Sequence, residues 1–185
     1  MMAAVESLLG DGLGYTEVSV EALCEQSGVS RSTFYSYFED KGHLLRVITK
    51  DVLADLGEIA AEWWSHGNSI SYDELNAIIV RLAAAYREHD LLLAALADTA
   101  VYDPGVREVY DGMMNGFITE IAGMIEADEA DPKKRASGLA SETAALLTWM
   151  CERTYHQLVN GADEDTVARV AAAHAEILWR SVHGR

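Results

Sequence analysis

The chain has 185 residues, half of them hydrophobic, with 30 acidic against 14 basic side chains, a formal net charge of −16 and only two prolines. That length allows one good core or two small ones, and the acidity argues against a generic polyanion binder, which would carry a basic stripe. No apolar run approaches the ~20 residues that span a bilayer, no signal-peptide pattern opens the chain, and Cys24 and Cys151 show no disulfide or metal spacing. A cytoplasmic protein with reduced thiols, and with neither metal nor cofactor, is expected.

Helical periodicity without period-2 alternation predicts an all-α fold. Ala3–Leu9 is a short helix ended by the glycine-rich turn from Gly10 to Gly14. Ser19 stands at an N-cap, with Val20, Leu23 and Cys24 on one face of the helix that follows, and Gly28 closes that helix. Ser30 caps a short helix from Arg31 to about Tyr37, and Asp40 caps a longer one from Lys41 to about Ser65. Ser71 and Glu74 form a capping box for a helix reaching about Glu88, and His89–Ala100 is a further short helix. Asp103-Pro104 and Asp131-Pro132 each read as an N-cap followed by proline at the first helical position, opening helices Pro104–Ala127 and Pro132–Asn160. Gly161 ends the latter, and Asp163 caps a last helix to about Val182, for nine helices in all.

The segment Ser30-Arg31-Ser32-Thr33-Phe34-Tyr35-Ser36-Tyr37-Phe38 has the make-up of a major-groove reading helix. Short polar side chains let the backbone approach the bases, while Phe34 and Phe38 lock the helix from behind. Arg31 is the only charge between Ser27 and Phe38. It suits guanine edges or phosphates, Thr33 a thymine methyl, and the Tyr35 and Tyr37 hydroxyls phosphate oxygens. Ser19, Ser30, Ser32, Ser36 and Lys41 complete the expected DNA contacts, with Lys41 paired to a phosphate beside the free N–H groups of its helix start.

These residues, with Val20, Gly28, Val29 and the run Lys41-Gly42-His43-Leu44-Leu45, resemble the DNA-binding signature of TetR-family repressors. The match covers about the first quarter of the chain. The resemblance implies an all-α homodimer that grips a palindromic double-stranded operator through a helix-turn-helix domain (residues 1–45). It also implies a ligand-binding and dimerisation domain (46–185), whose last two helices make a four-helix interface with the partner, and repression as the default. Cys151-Glu152-Arg153-Thr154 followed by Tyr155, with Trp179, is similar to the mycobacterial ethionamide-resistance regulator branch. Family members have a longer first helix, often preceded by a basic arm. The short helix here implies either a start codon placed too far downstream or weakened DNA binding.

The last helix is apolar on most of its circumference. One stripe holds Val167, Val170, Ala171, His174, Ile177 and Leu178, and a second holds Ala168, Ala172, Ala175, Trp179 and Val182. The second stripe suits a dimer interface, or else the helix is buried centrally in the monomer. Met113, Phe117, Trp149 and Met150, with Thr148 as polar anchor, are the expected lining of a pocket for a small lipophilic effector, neutral or cationic, although such residues are also ordinary core material. Two other classes stand beside this one. An acidic helical adaptor that has lost DNA binding is the first. A helical-bundle metalloenzyme is the second, but Glu62/His66 and Glu152/His156 are each spaced one residue too widely for a di-iron pair.

Overall fold

The computed structural model describes residues 1–130 and 138–183. Nine α-helices and no strand occur among the described residues: α1 Met2–Gly10, α2 Val20–Ser27, α3 Arg31–Tyr37, α4 Lys41–His66, α5 Tyr72–Glu88, α6 Asp90–Ala100, α7 Pro104–Glu129, α8 Ala140–Thr154 and α9 Glu164–Val182. The all-α expectation holds. A 3₁₀ turn, Gly67–Ser69, precedes α5, and a π-helical segment, Tyr155–Val159, continues α8. The Asp131-Pro132 start lies outside the described residues. None of the described helices is long and apolar enough to cross a membrane.

The caps that set these boundaries are local chemistry. Ser19, Ser30 and Asp163 each accept a backbone N–H at N3, from Ala22, Thr33 and Thr166. Ser71 and Glu74 close a reciprocal capping box. Asp40 accepts from His43 N at 2.7 Å, and Asp103 from Val106 N at 2.9 Å.

The chain divides into two compact units. The first comprises Met1–Leu53 and Leu91–Gly112. Its core gathers Val5, Leu9, Val18, Leu23, Phe34, Leu44 and Leu45 from the N-terminal helices, and Leu92, Leu96 and Val106 from the later segment. Two glycines allow a close approach there: a Cβ on Gly42 would run into the Asp103 carboxylate, and one on Gly105 into the Arg46 guanidinium. Arg46 and Asp103 themselves form an ion pair at 3.9 Å.

The second unit comprises Ala54–Asp90 and Met113–Arg185. Here α5 packs along α9. Trp63, Leu75, Ile79, Ile121, Ile125, Ala144, Leu147, Tyr155, Ala171 and Leu178 fill the core. The helix expected to run unbroken to Asn160 becomes π-helical from Tyr155. The wider turn buries both Tyr155 and Val159 and leaves Leu158 exposed. Gly161, at φ 65°, ends the segment, and its N–H donates to Asp90 Oδ2 at 3.1 Å.

Candidate nucleic-acid interface

The turn between α2 and α3 rests on Gly28, whose φ of 68° is left-handed and needs no Cβ. Gly28 N–H donates to Glu25 O and Val29 N–H to Cys24 O, which satisfies carbonyls at the end of α2. Ser30 then caps α3. A seven-residue helix is too short to hold in water by itself, so its stability comes from an aromatic chain behind it. Phe34 is buried and meets Phe38 and Tyr35 at ring-centroid distances of 5.3 Å, and Phe38 in turn meets His43 of α4 at 6.0 Å.

The opposite face of α3 is open. Arg31, Ser32, Thr33, Tyr35, Ser36 and Tyr37 are exposed, Tyr37 by 74% and Tyr35 by 51%. Several of these hydroxyls already have local work. Ser30 Oγ accepts from Thr33 N and lies 2.9 Å from Thr33 Oγ1, Ser36 Oγ donates to Thr33 O, and Ser19 Oγ accepts from Ala22 N. An accepting cap oxygen keeps its own O–H, so Ser19 can still donate to a phosphate. The face carries no carboxylate and one cation, which suits close approach to a duplex.

Lys41 is placed differently from its neighbours. Its ammonium donates to the carbonyls of Tyr15, Thr16 and Val18 at 3.0, 2.7 and 3.2 Å, and lies 5.6 Å from the centre of the Tyr15 ring. The Tyr15 hydroxyl donates back to Lys41 O at 2.6 Å. Burial pulls the Lys41 pKa below the usual lysine value and pushes the Tyr15 phenol up. All three ammonium protons thus hold the turn that leads into α2. This arrangement links positions more than twenty residues apart, and no local pattern announces it.

The residues expected to line a pocket separate into two groups. Met113 and Phe117 are half-buried on α7, and Phe117 packs on Trp64 at 5.6 Å. Thr148 faces inward and donates to Ala144 O at 2.9 Å. Trp149 and Met150 lie on the solvent side of α8, in a row of exposed apolar residues with Leu139 and Leu146. The α9 residues divide too. Ala175 and Val182 are buried in the unit's own core, Trp179 sits against Tyr72 at 5.8 Å, and Ala168 and Ala172 face solvent.

A buried polar trio joins α8, the π-helical segment and α9. His174 Nδ1 lies 3.0 Å from the Tyr155 hydroxyl and 3.5 Å from Cys151 Sγ. Burial lowers the His174 pKa to about 4 and raises the Cys151 thiol and the Tyr155 phenol, so all three are neutral at pH 7. His174, set within an apolar stripe of the last helix, was the one local sign of this trio in the sequence. Among the described residues no group of three or more His, Cys, Asp or Glu side chains is arranged to hold a metal ion.

A capped helix-turn-helix with a polar, acid-free outer face, joined to a helical C-terminal unit, defines a DNA-binding transcriptional regulator. Residues 9–48 match the model of the tetR family of bacterial regulatory proteins, and residues 75–184 match that of the C-terminal domain of the transcriptional regulator EthR. The chain belongs to the TetR family of transcriptional regulators, with a C-terminal domain of the EthR type. It is 27% identical over 179 residues to the HTH-type transcriptional regulator EthR of Mycolicibacterium smegmatis, covering 92% of this chain and 79% of that protein. A crystal structure of a candidate TetR-family regulator from Mesorhizobium loti MAFF303099 shares the fold, with a TM-score of 0.58 at 18% identity over 96% of this chain and 91% of that one. The family is one of regulators, not of enzymes.

Proposed function

We infer that the chain acts as a cytoplasmic homodimeric repressor. It would hold a palindromic operator through residues 1–45 and be released by a small lipophilic effector bound within residues 46–185. The observation that carries the DNA reading is the outer face of α3, where Arg31, Ser32, Thr33, Tyr35, Ser36 and Tyr37 stand clear of the core without an acid among them. Ser19 and Ser30 flank that face at the helix starts. Lys41 serves as the clamp of the preceding turn instead of as a phosphate ligand.

The dimer reading rests on α8 and α9. Leu146 is 73% exposed, and Trp149, Met150 and Ile177 are also solvent-facing, which is costly for a protein that stays monomeric. Two copies of these faces would meet around a two-fold axis, each covering the other. Ala168 and Ala172 would allow close approach at its edge, while Ala175, Trp179 and Val182 support the face from within. Trp149 and Met150 therefore belong with the partner contact, and Met113, Phe117 and Thr148 remain with the effector.

Release requires that the effector bind one conformer of the dimer more tightly than the other. The favoured conformer would hold its two recognition helices at a spacing that no longer matches half-sites about 34–36 Å apart. Genome-wide capture of bound DNA, followed by salt-dependent binding to the recovered site, tests this reading. Recovery of a palindrome bound by one dimer supports it. Recovery of no enriched site leaves the acidic adaptor as the better description.

A further inference from the structure

His43, in the first turn of α4, is held so that one ring nitrogen is left for a partner outside the protein. The backbone N–H of Glu39, between α3 and α4, donates to His43 Nδ1 at 3.2 Å. The backbone N–H of His43 itself donates to Asp40 Oδ1 at 2.7 Å. The imidazole meets the Phe38 ring edge-on, at 6.0 Å and 80°. A ring nitrogen that accepts a hydrogen bond carries no proton, so the ring's N–H is on Nε2. Among the described residues nothing accepts that N–H, and the ring is only half-buried, so Nε2 stays accessible.

The place of this donor defines its partner. The Phe38 ring that meets His43 also lies 6.4 Å from the ring of Tyr37, which is three quarters exposed at the end of α3. His43 therefore stands beside the C-terminal end of the open face of α3. Donors that flank a helix in the major groove meet the sugar–phosphate strand bordering that groove. In the first turn of α4, Gly42 and Leu44 bring no side-chain donor, and the Lys41 ammonium is held by the carbonyls of Tyr15, Thr16 and Val18. Asp40 Oδ1 is taken up by the helix start. The side-chain donor that this turn still offers is His43 Nε2–H, and an anionic oxygen is its strongest acceptor.

We propose that His43 is a DNA contact whose Nε2–H donates to a backbone phosphate oxygen at the C-terminal end of α3, while the Glu39 N–H fixes the tautomer and aim of its ring. The proposal rests on the DNA reading given above and adds a residue to it. The contact carries no base information. With the ring uncharged it also releases no counterion, so it strengthens binding without steepening the salt dependence.

The test uses the full chain labelled with ¹⁵N in its histidines, at pH 8, and a duplex carrying the site recovered by genome-wide capture. The duplex is prepared in native form and as a set in which single phosphates are replaced by methylphosphonate. Long-range ¹H–¹⁵N correlation should show His43, assigned by its loss in His43→Asn, as the Nε2–H tautomer in the free protein. Adding the duplex should shift this N–H downfield and slow its exchange with water. His43→Asn keeps an acceptor in place of Nδ1 and has no donor in place of Nε2. It should lose about tenfold in affinity per half-site, with an unchanged salt slope. His43→Gln, whose amide N–H reaches about as far as Nε2, should recover most of that loss. In the wild type, methylphosphonate at one phosphate of each half-site should cost about tenfold, and in His43→Asn the same replacement should cost little more. If His43→Asn fails to fold, the wild-type resonance and the methylphosphonate series on His43→Gln decide. The proposal is overturned if the free ring carries its proton on Nδ1 or if the duplex leaves the Nε2–H resonance unmoved. It is also overturned if every methylphosphonate penalty is the same in wild type and His43→Asn, which would leave His43 a packing role alone. Binding of the duplex with His43 unmoved removes only this contact, whereas recovery of no site removes the DNA reading and the proposal with it.

Discussion

Tyr15 and Lys41 are bonded to each other in both directions: the phenol donates to the Lys41 carbonyl at 2.6 Å, and the Lys41 ammonium donates to the Tyr15 carbonyl at 3.0 Å. With Thr16 O and Val18 O also held by the ammonium, one side chain fixes the approach to α2 against the start of α4. The charge stabilises the reading head from inside and is withdrawn from the DNA. Lys41→Met should therefore destabilise the protein by about 1–3 kcal/mol and weaken operator binding. The slope of log K against log salt should stay unchanged, because no phosphate contact is lost. Equilibrium unfolding and a salt series check this together, and a slope reduced by about one per protomer would restore the phosphate role.

The same logic sets the slope of the wild type. In the first unit Arg46 pairs with Asp103, and Arg107 donates to the carbonyls of Ala100 and Val101, which leaves Arg31 and Lys50 facing solvent. Two such cations per protomer predict a slope for the dimer of about −2 to −4. Fluorescence anisotropy on the operator between low and physiological salt measures it.

Tyr37 projects from α3 with three quarters of its surface exposed, and its ring lies tilted to that of Phe38 at 6.4 Å. Tyr37→Ala should leave the unfolding midpoint and the dimer unchanged while lowering operator affinity roughly 100-fold, the combined loss of one contact in each protomer. Operator affinity close to wild type would show that α3 does not read the site.

Leu146 is the most exposed apolar side chain of α8, so its replacement tests the dimer without touching the core. Leu146→Glu should raise the dimer dissociation constant by about 100-fold or more, because it would bury two like charges at the two-fold axis. Sedimentation equilibrium reads the change, and operator affinity should fall with it. An unchanged dimer would place the partner contact on another face.

His174 gives the protein a defined acid sensitivity. It stays neutral beside Tyr155 and Cys151 with a pKa of about 4, against about 6.5 when unfolded. The unfolded chain binds this proton more readily, so stability is fully present above pH 6.5 and is lost as the pH falls towards 4. The loss attributable to this group is about 3 kcal/mol. Urea unfolding at pH 7, 6 and 5 should show this decline in the wild type and a shallower one in His174→Gln. Parallel curves for the two proteins would assign the acid loss to other groups.

Local signals made much of this molecule legible. Ser19, Ser30, Ser71 with Glu74, Asp103 and Asp163 cap their helices as their positions in the sequence require, since a cap depends on residues three apart. The recognition helix was legible for the same reason: Phe34 and Phe38 lie four apart. Rotational phase was not. Ala175 and Val182 turn inward and Trp149 and Met150 outward, because an almost wholly apolar helix does not record which side its neighbours occupy. The π-helical turn at Tyr155 has no local marker, and the bond that Tyr155 makes there, to His174, spans nineteen residues. The carbonyl clamp of Lys41 and the membership of residues 91–112 in the first unit were hidden by sequence separation in the same way.

A reading head with so few solvent-facing cations has a consequence for how the protein finds its target. Most of a regulator's encounters in a cell are with the wrong sequence, and the hold on such sequence is almost purely ionic. A strongly basic head would spend its time parked on the chromosome. This one would be mainly free in solution, arriving at its operator by three-dimensional diffusion with little sliding. Few copies would be lost to the genome, so occupancy of the operator would follow closely the number of copies competent to bind it.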